Sequence, residues 1–139
     1  MLGRALLDYE LFIYALQDDY PSIRTATLTV IRQASDVATV EGDLFFYGDL
    51  RLHVLEFVRF DLTPPQFSHY GYEVWRSSEK LYWYDSQPHP SDPTLMATHP
   101  HHKHTPPDMK HHRVPAPALS FTEPNLPFLI GEIERLMGP

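Results

Sequence analysis

Apolar residues near the start of the chain recur with the spacing of an amphipathic helix. They fall at alternating steps of four and three, which keeps them on one side of a helix. These residues are Leu2, Leu6, Tyr9, Ile13 and Leu16. We expect the helix to stop near Tyr20-Pro21, because the residue before a proline disfavours helical backbone angles.

From residue 23 the apolar period changes to two, and the composition turns to threonine, valine and aromatic residues. Both changes indicate half-buried strands. The pattern predicts five strands: one that presents Ala26, Leu28 and Val30 on a single face, one that presents Val40, Leu44 and Phe46, and three more over residues 51–60, 70–76 and 81–84. The connections are short, which favours antiparallel neighbours.

Regular structure is predicted to stop after Asp85. Ten of the fourteen prolines lie between Pro88 and Pro127, and each proline removes a backbone donor from a ladder or a helix interior. We therefore expect a stiffened Pro/His-rich loop over about residues 86–117, and loops of this length in small domains are usually functional. Asn125 can then cap a last helix. Its apolar stripe is Leu126, Leu129, Ile130, Ile133, Leu136 and Met137.

These elements define the predicted fold class, which is α+β. We expect an antiparallel meander sheet of about five strands, with an N-terminal and a C-terminal helix packed on it and the long Pro/His-rich loop before the last helix. At 139 residues the chain is long enough to close one hydrophobic core, so a single domain over residues 1–139 is expected.

Composition narrows the setting of the protein. The chain has no cysteine, which excludes disulfides and thiolate metal sites, and no apolar run is long enough to cross a bilayer, so we expect a cytoplasmic protein with no membrane partner. The net charge of −7 argues against indiscriminate binding of nucleic acid. The charge is uneven, because residues 1–50 hold three basic and eight acidic side chains, whereas residues 99–113 hold three basic and one acidic.

The positive stretch is also the histidine-rich stretch, with six of the nine histidines between His99 and His112. Neutral imidazoles there could bind zinc, nickel or copper, could form a solvated polar surface, or could act as general acid and base near neutral pH. In an extended chain His99 and His101 point one way and His102 and His104 the other, which disfavours converging metal ligands. We therefore favour proton transfer, with no metal and no cofactor.

A carboxylate occupies an unusual position in the third predicted strand. Period-two alternation places Glu56 on the same face as Leu52, Val54, Val58 and Phe60. Desolvation there would raise the pKa of Glu56 towards the range useful for proton transfer. Alternatively, Glu56 lies at a sheet edge or accepts a hydrogen bond from a tyrosine of a neighbouring strand. The sequence leaves both interpretations open.

These arguments give two sets of candidate site residues. The predicted catalytic groups are His101, His102, Lys103, His104 and Glu56. One or two imidazoles would act as general acid and base near neutral pH, and Lys103 and Arg113 would hold an anionic, phosphate-bearing substrate. The predicted substrate-binding residues are His69, Tyr72, Tyr84, Asp85, His89, Lys110 and Arg113. Asp85 and His89 stand where the last strand meets the loop and could orient an imidazole.

Six short motifs occur in order along the second half of the chain. They are Tyr-x-Tyr-Asp at 82–85, Pro-His at 88–89, His-Pro-His-His-Lys-His at 99–104, Pro-Pro-Asp-x-Lys-His at 106–111, Arg-Val-Pro-Ala-Pro at 113–117 and Asn-Leu-Pro-Phe-Leu at 125–129. In this order they closely resemble the TumE family of small prokaryotic toxins. The resemblance spans nearly the whole chain, and its most specific part is the Pro-His-His-Lys-His string at 100–104.

The resemblance implies the toxin half of a toxin–antitoxin pair, neutralised by a helix-turn-helix antitoxin called TumA. Ribonuclease action is common among small toxins, and by that analogy we expect a metal-independent endoribonuclease with RNA as its substrate. One of His101, His102 and His104 would then remove a proton from a ribose 2′-hydroxyl, another would protonate the leaving oxygen, and Lys103 would stabilise the phosphorane charge. The acidic first half would face a basic antitoxin. A toxin that transfers a nucleotidyl or phosphate group, and a non-enzymatic histidine-rich module that binds metal or a partner, remain alternatives. A homodimer is also an open expectation.

Overall fold

The computed structural model describes residues 4–138. Its elements are helix α1 (Arg4–Asp19), strands β1 (Ile23–Ala26), β2 (Thr29–Ala34), β3 (Val37–Phe46), β4 (Leu50–Arg59), β5 (Gln66–Arg76) and β6 (Glu79–Asp85), a 3₁₀ helix (Pro93–Thr98), strands β7 (His102–His104) and β8 (Arg113–Pro115), and helix α2 (Leu126–Met137). Leu2 lies outside the described residues. Nowhere between residues 4 and 138 is a helix long and apolar enough to cross a membrane.

Eight strands form one antiparallel sheet within the described residues, so the fold class α+β with two terminal helices is confirmed. From β3 to β8 each strand pairs with the next in the chain, which makes this part a meander. Strands β1 and β2 lie end to end along the free edge of β3. The predicted count of about five strands is wrong, for two separate reasons.

The first reason is a break in the first predicted strand, where residues 27 and 28 separate β1 from β2. Gly42 of β3 lies directly beneath this break with a φ of +143°, and a Cβ placed on it would be 2.6 Å from the carbonyl oxygen of Thr27. The chain crosses close to the backbone of β3 at this point, and Leu28 turns inward and is buried. Only glycine permits both the backbone angle and the close approach.

The second reason lies in the proline-rich segment. The prediction that regular structure stops after Asp85 is wrong, because β7 adds to β6 and β8 adds to β7. The three residues of β7 fall between Pro100 and Pro106, so their backbone donors are intact. Pro115 is tolerated in β8 because this strand forms the last position of the sheet, where no further ladder needs its missing donor.

One face of the sheet carries both helices, and we call it the helix face. Three predicted apolar residues of α1 and four of α2 are buried, and all of them except Leu6 share one hydrophobic core with alternate residues of the central strands. They are Leu6, Ile13 and Leu16 of α1, and Leu126, Leu129, Ile130 and Ile133 of α2. Leu136 of the predicted stripe remains exposed. The opposite side of the sheet is called the second face.

Asn125 begins α2, as predicted, but its side chain does not cap the helix. Its amide oxygen accepts a hydrogen bond from the backbone nitrogen of Ser120 at 2.9 Å, and its amide nitrogen donates to the Tyr72 hydroxyl at 3.2 Å. The side chain is buried, and a buried amide must find partners. Asn125 therefore fixes the loop before α2 to the centre of β5.

Replacing Gly42 with alanine should destabilise the protein by at least about 2 kcal/mol, since the substitution combines a strained backbone angle with a clash against backbone atoms. Urea unfolding would measure the loss. The matched control is Gly131→Ala in α2, where the nearest atom to an added Cβ is 3.9 Å away. This control should be neutral or stabilising by up to about 1 kcal/mol, and equal effects of the two substitutions would contradict the explanation.

Candidate functional site

Antiparallel pairing of β6 with β7 brings the histidine-rich stretch against Asp85. In this ladder His102 lies opposite Asp85 and His104 opposite Trp83. Side chains two residues apart in a strand share a face, so both imidazoles and the carboxylate meet on the second face. His101 and Lys103 point to the other side, which is the alternation that the sequence predicted.

Three side chains form a compact group that we call the histidine–aspartate cluster: Asp85, His102 and His104. The Nε2 atoms of the two imidazoles are 3.1 Å apart. His102 Nε2 is 2.9 Å from Oδ1 of Asp85, and His104 Nε2 is 3.1 Å from its Oδ2. Both histidines are almost fully buried. Two nitrogens and a carboxylate thus converge on one point.

The orientation of each imidazole is fixed by a second hydrogen bond. His102 Nδ1 donates to the carbonyl of Pro100 at 2.9 Å, and His104 Nδ1 donates to the carbonyl of Met109 at 2.7 Å. A carbonyl oxygen only accepts hydrogen bonds, so each Nδ1 carries the hydrogen. In the neutral form of either ring the Nε2 lone pair therefore points at the centre of the cluster.

Asp85 accepts hydrogen bonds from two residues close to it in the sequence. Trp83 Nε1 donates to Oδ2 at 3.0 Å, and the backbone nitrogen of Gln87 donates to Oδ1 at 2.9 Å. Burial raises the pKa of Asp85, but the hydrogen bonds from His102, Trp83 and Gln87 outweigh burial and hold the pKa well below its usual range. The carboxylate is therefore ionised at neutral pH.

The two cluster imidazoles have opposite pKa shifts. Burial lowers the pKa of both rings, because it disfavours the charged form. For His102 the hydrogen bonds to Asp85 and Pro100 reverse the sign, so its pKa is raised. For His104 burial dominates and the pKa is lowered, although Met109 and Asp85 act in the other direction. The Trp83 ring also stacks on His104, with centroids 3.9 Å apart.

Arg113 supplies positive charge next to the cluster. It lies opposite His104 in the β7–β8 ladder, and its Nη1 donates to Nδ1 of His89 at 2.7 Å. The His89 ring in turn contacts His102 edge to face, with centroids 4.8 Å apart. Burial and the nearby guanidinium lower the pKa of His89. Within residues 4–138 the buried Nε of Arg113 has no hydrogen-bond partner.

His101 lies apart from the cluster. Its Nδ1 shares a hydrogen bond of 2.6 Å with the Tyr70 hydroxyl, and its ring packs on Tyr70 and Phe121. Burial and the charges of His102 and His99 lower the pKa of His101, so the ring is neutral at neutral pH.

A cleft with a volume of about 600 Å³ extends from Tyr70, the partner of His101, to Asp85. Its wall includes Tyr70, which holds His101, and Asp85, which holds the cluster. The remaining lining residues are Ser68, His69, Ser86, Gln87, Pro88, Pro100 and Phe121. The volume is in the range of small-molecule sites. A ligand in the cleft would therefore meet groups from both faces of the sheet.

Glu56 does not join the histidines. It is fully buried on the helix face and accepts hydrogen bonds from the hydroxyls of Tyr9 and Tyr72, each at 2.5 Å. Leu55 pairs with Gly71, which pairs with Asp85, so Leu55 and the cluster lie on the same face of the sheet. Glu56 is the next residue in its strand and therefore points to the opposite face. The predicted rise in the pKa of Glu56 and the predicted hydrogen bond from a tyrosine of a neighbouring strand are both found, whereas the alternative position at a sheet edge is not.

Lys103 also lies away from the cluster, on the helix face. Its Nζ is 4.1 Å from the centre of the Tyr82 ring and 3.8 Å from Oε2 of Glu132. Tyr84 donates to the same Glu132 at 2.8 Å. These contacts form a polar network under α2. Lys103 therefore faces Glu132 rather than the two imidazoles on the opposite side of its own strand.

The other predicted residues are distributed as follows. His69 stacks on Phe57, with centroids 3.8 Å apart, and lines the cleft. Lys110 is exposed in the turn between β7 and β8, as are His111 and His112. Trp83 is a site residue that the sequence analysis missed. Its position two residues before Asp85 in a predicted strand was the available signal, because such residues share a face.

The chain belongs to the TumE toxin family. The family model described as Toxin TumE matches residues 13–137 of the 139 residues, which include the last seven residues of α1, the whole sheet and all of α2. No curated protein and no solved structure matches the chain. Membership confirms the resemblance inferred from the motifs, and it places the chain among the toxins of toxin–antitoxin systems, which implies an antitoxin partner.

The buried carboxylate predicts a pH-dependent stability. Burial raises the pKa of Glu56 from 4.5 to about 7, against the opposing hydrogen bonds from Tyr72 and Tyr9. Because the folded state binds this proton more tightly, the stabilisation is complete below pH 4.5 and is lost as the pH rises through about 7. Relative to Glu56→Gln, the wild type should lose up to about 3 kcal/mol of unfolding free energy over this interval.

Urea unfolding between pH 4 and pH 8 would measure this difference. Glu41→Gln is the matched control, since Glu41 is exposed on β3, and it should follow the wild-type pH profile. Parallel profiles for the wild type and Glu56→Gln would contradict the prediction.

Proposed function

We propose that this chain is the toxin of a toxin–antitoxin pair and that it arrests growth by cutting RNA at the histidine–aspartate cluster and its cleft. Family membership supports the toxin part of the proposal. The ribonuclease part rests on one observation, which is the convergence of two imidazoles on Asp85, beside a cleft lined by Asp85 and by Tyr70, the hydrogen-bond partner of His101. Imidazoles and carboxylates are side chains that serve as general acids and bases.

Arg113 is the proposed phosphate-binding residue. Its guanidinium donates to His89 through Nη1, while its buried Nε has no partner within the described residues. A guanidinium can bind two oxygens of a phosphate at once, so Arg113 would hold an RNA phosphate next to the cluster. This assignment replaces Lys103, which faces Glu132 on the other side of β7.

His101 is the proposed general base. Its neutral imidazole would take the proton of a ribose 2′-hydroxyl, and the 2′-oxygen would then attack the adjacent phosphorus. The bond from phosphorus to the 5′-oxygen breaks, and that oxygen takes a proton from the cluster or from water and leaves as a 5′-hydroxyl. The products are a 2′,3′-cyclic phosphate and a 5′-hydroxyl end. The cluster would stabilise the leaving oxygen with positive charge, carried by a proton or by a metal ion.

Replacing His101 with glutamine should lower RNA cleavage by about 100-fold or more, because a positioned proton acceptor usually contributes that much. The measurement is turnover of a labelled RNA by purified protein, together with total RNA from cells shortly after induction. The matched control is His111→Gln, which changes an exposed histidine paired only with Asp108. Equal turnover and equal toxicity of both variants and the wild type would refute the assignment of His101.

We further propose a helix-turn-helix antitoxin of the TumA type as the partner, bound at the outer surface of α1. Three apolar residues one turn apart are exposed there: Leu7 at 42%, Leu11 at 70% and Tyr14 at 55%. Exposed apolar residues that form a stripe are typical of interaction surfaces. Helix α1 also carries four acidic side chains and one basic side chain, which suits a basic partner.

The substitution Leu11→Asp should weaken binding of the antitoxin by at least about tenfold, since it places a charge at the centre of the apolar stripe. Toxicity without the antitoxin should be unchanged. Co-purification with the helix-turn-helix protein of the neighbouring gene would report binding. Met96→Asp is the control, because Met96 is similarly exposed but lies on the 3₁₀ helix, and loss of binding in both variants would argue against the α1 surface.

A further inference from the structure

We propose that the histidine–aspartate cluster is a binding site for one divalent transition-metal ion, with Zn²⁺ as the best fit. The ligands are Nε2 of His102, Nε2 of His104 and the carboxylate of Asp85, which the fold brings together in one group. The alternation of the histidines disfavoured a metal site at the level of sequence. In the structure, Asp85 of the neighbouring strand β6 provides the third ligand that converges on the two imidazoles.

The spacing of the ligand atoms fits a metal ion. The two Nε2 atoms are 3.1 Å apart, and each lies 2.9 or 3.1 Å from one oxygen of Asp85. An ion bound about 2.1 Å from both nitrogens would have a nitrogen–metal–nitrogen angle of about 95°. This angle lies between the octahedral and tetrahedral values. Two imidazoles and one carboxylate are also a recurring ligand set for catalytic zinc and for non-haem iron.

The hydrogen positions give a second, independent argument. Both Nδ1 hydrogens are donated to backbone carbonyls, at Pro100 and Met109, so in neutral rings both Nε2 atoms present lone pairs to each other and to an anion. A single proton on His102 would satisfy its contact with Asp85. It would leave His104 Nε2 facing Oδ2 of Asp85 at 3.1 Å with no hydrogen between them. One divalent ion would satisfy all three groups at once.

The surroundings of the ligands support the same conclusion. In metal sites an imidazole commonly donates its other nitrogen to a carbonyl or carboxylate, and ligating carboxylates are themselves hydrogen-bonded. Here both imidazoles donate to carbonyls, and Asp85 accepts from Trp83 and from the backbone of Gln87. All three ligands stand on two paired strands, so the ladder fixes their separation before any ion binds.

The site would retain an open coordination position. His89 lies against His102, but its Nδ1 accepts a hydrogen bond from Arg113, so we count three protein ligands and not four. Three ligands and an exchangeable water are typical of catalytic zinc. A role of the ion at the leaving oxygen of RNA rests on the proposed function, whereas metal binding itself does not depend on it.

The test uses full-length protein without a histidine tag, purified without nickel resin and treated with a chelator. Calorimetric titration with Zn²⁺ should show one tight site for each chain. Asp85→Asn should weaken Zn²⁺ affinity by more than about 100-fold. Mutation of a residue that only hydrogen-bonds to a ligand typically lowers metal affinity by about 10–100-fold, and loss of the ligand itself should cost more. The double variant His111→Ala, His112→Ala is the control. It removes two exposed histidines and should keep the tight site.

A second variant covers the case in which Asp85→Asn does not fold. Trp83→Phe removes the hydrogen bond to Oδ2 of Asp85 and keeps an aromatic ring over His104, and it should weaken Zn²⁺ binding by about 10–100-fold. In addition, Zn²⁺ should raise the unfolding temperature of the wild type more than that of either cluster variant. Equal zinc affinity in the wild type and the cluster variants, or loss of the tight site in the double control, would overturn the proposal.

The two proposals fail in different ways. One tight zinc site without RNA cleavage in the loaded protein would overturn the proposed function and leave the metal site intact. Undiminished RNA cleavage by the chelated protein would overturn the role of the ion at the leaving oxygen. No tight site in the calorimetric titration would overturn the metal proposal, whatever the protein does to RNA.

Discussion

The addition of β7 to the edge of β6 is the constraint on which the candidate site depends. This short ladder sets His102 opposite Asp85 and His104 opposite Trp83, and strand alternation then turns both imidazoles to the same face. Backbone hydrogen bonds hold Asp85, His102 and His104 at fixed separations, so these side chains do not have to be brought together when a ligand binds. Sites on paired strands are for this reason better preorganised than sites on free loops.

The sheet also keeps two kinds of polar chemistry apart. On the helix face, Glu56 is fully buried and its cost is offset by two tyrosine hydroxyls, while Lys103 and Glu132 form a second network under α2. On the second face, the cluster and Arg113 form a group of mixed charge beside a cleft. Glu56 therefore lies on the opposite face from the histidine–aspartate cluster, and the groups of the candidate site lie where β6 and β7 meet irregular chain.

Much of the fold follows from local patterns. The helical stripes, the alternation in β3 and β4 and the place of Glu56 on the apolar face of its strand could be predicted, because each depends on periods of 3.6 or 2 within a single element. The break between β1 and β2 could not, since it depends on Gly42 of another strand passing beneath residues 27 and 28. Strands β7 and β8 were missed because proline content opposes them locally, and only an available sheet edge stabilises them.

The sequence by itself determined the family, the fold class and the types of group that the site contains. It even fixed that His101 points away from His102 and His104, because alternation is a property of one extended strand. The tertiary structure alone decided which carboxylate joins the imidazoles. The sequence offered both Asp85 and Glu56 as candidates, but strand pairing is a contact between distant segments, and its register places Asp85 beside the histidines and Glu56 on the opposite face.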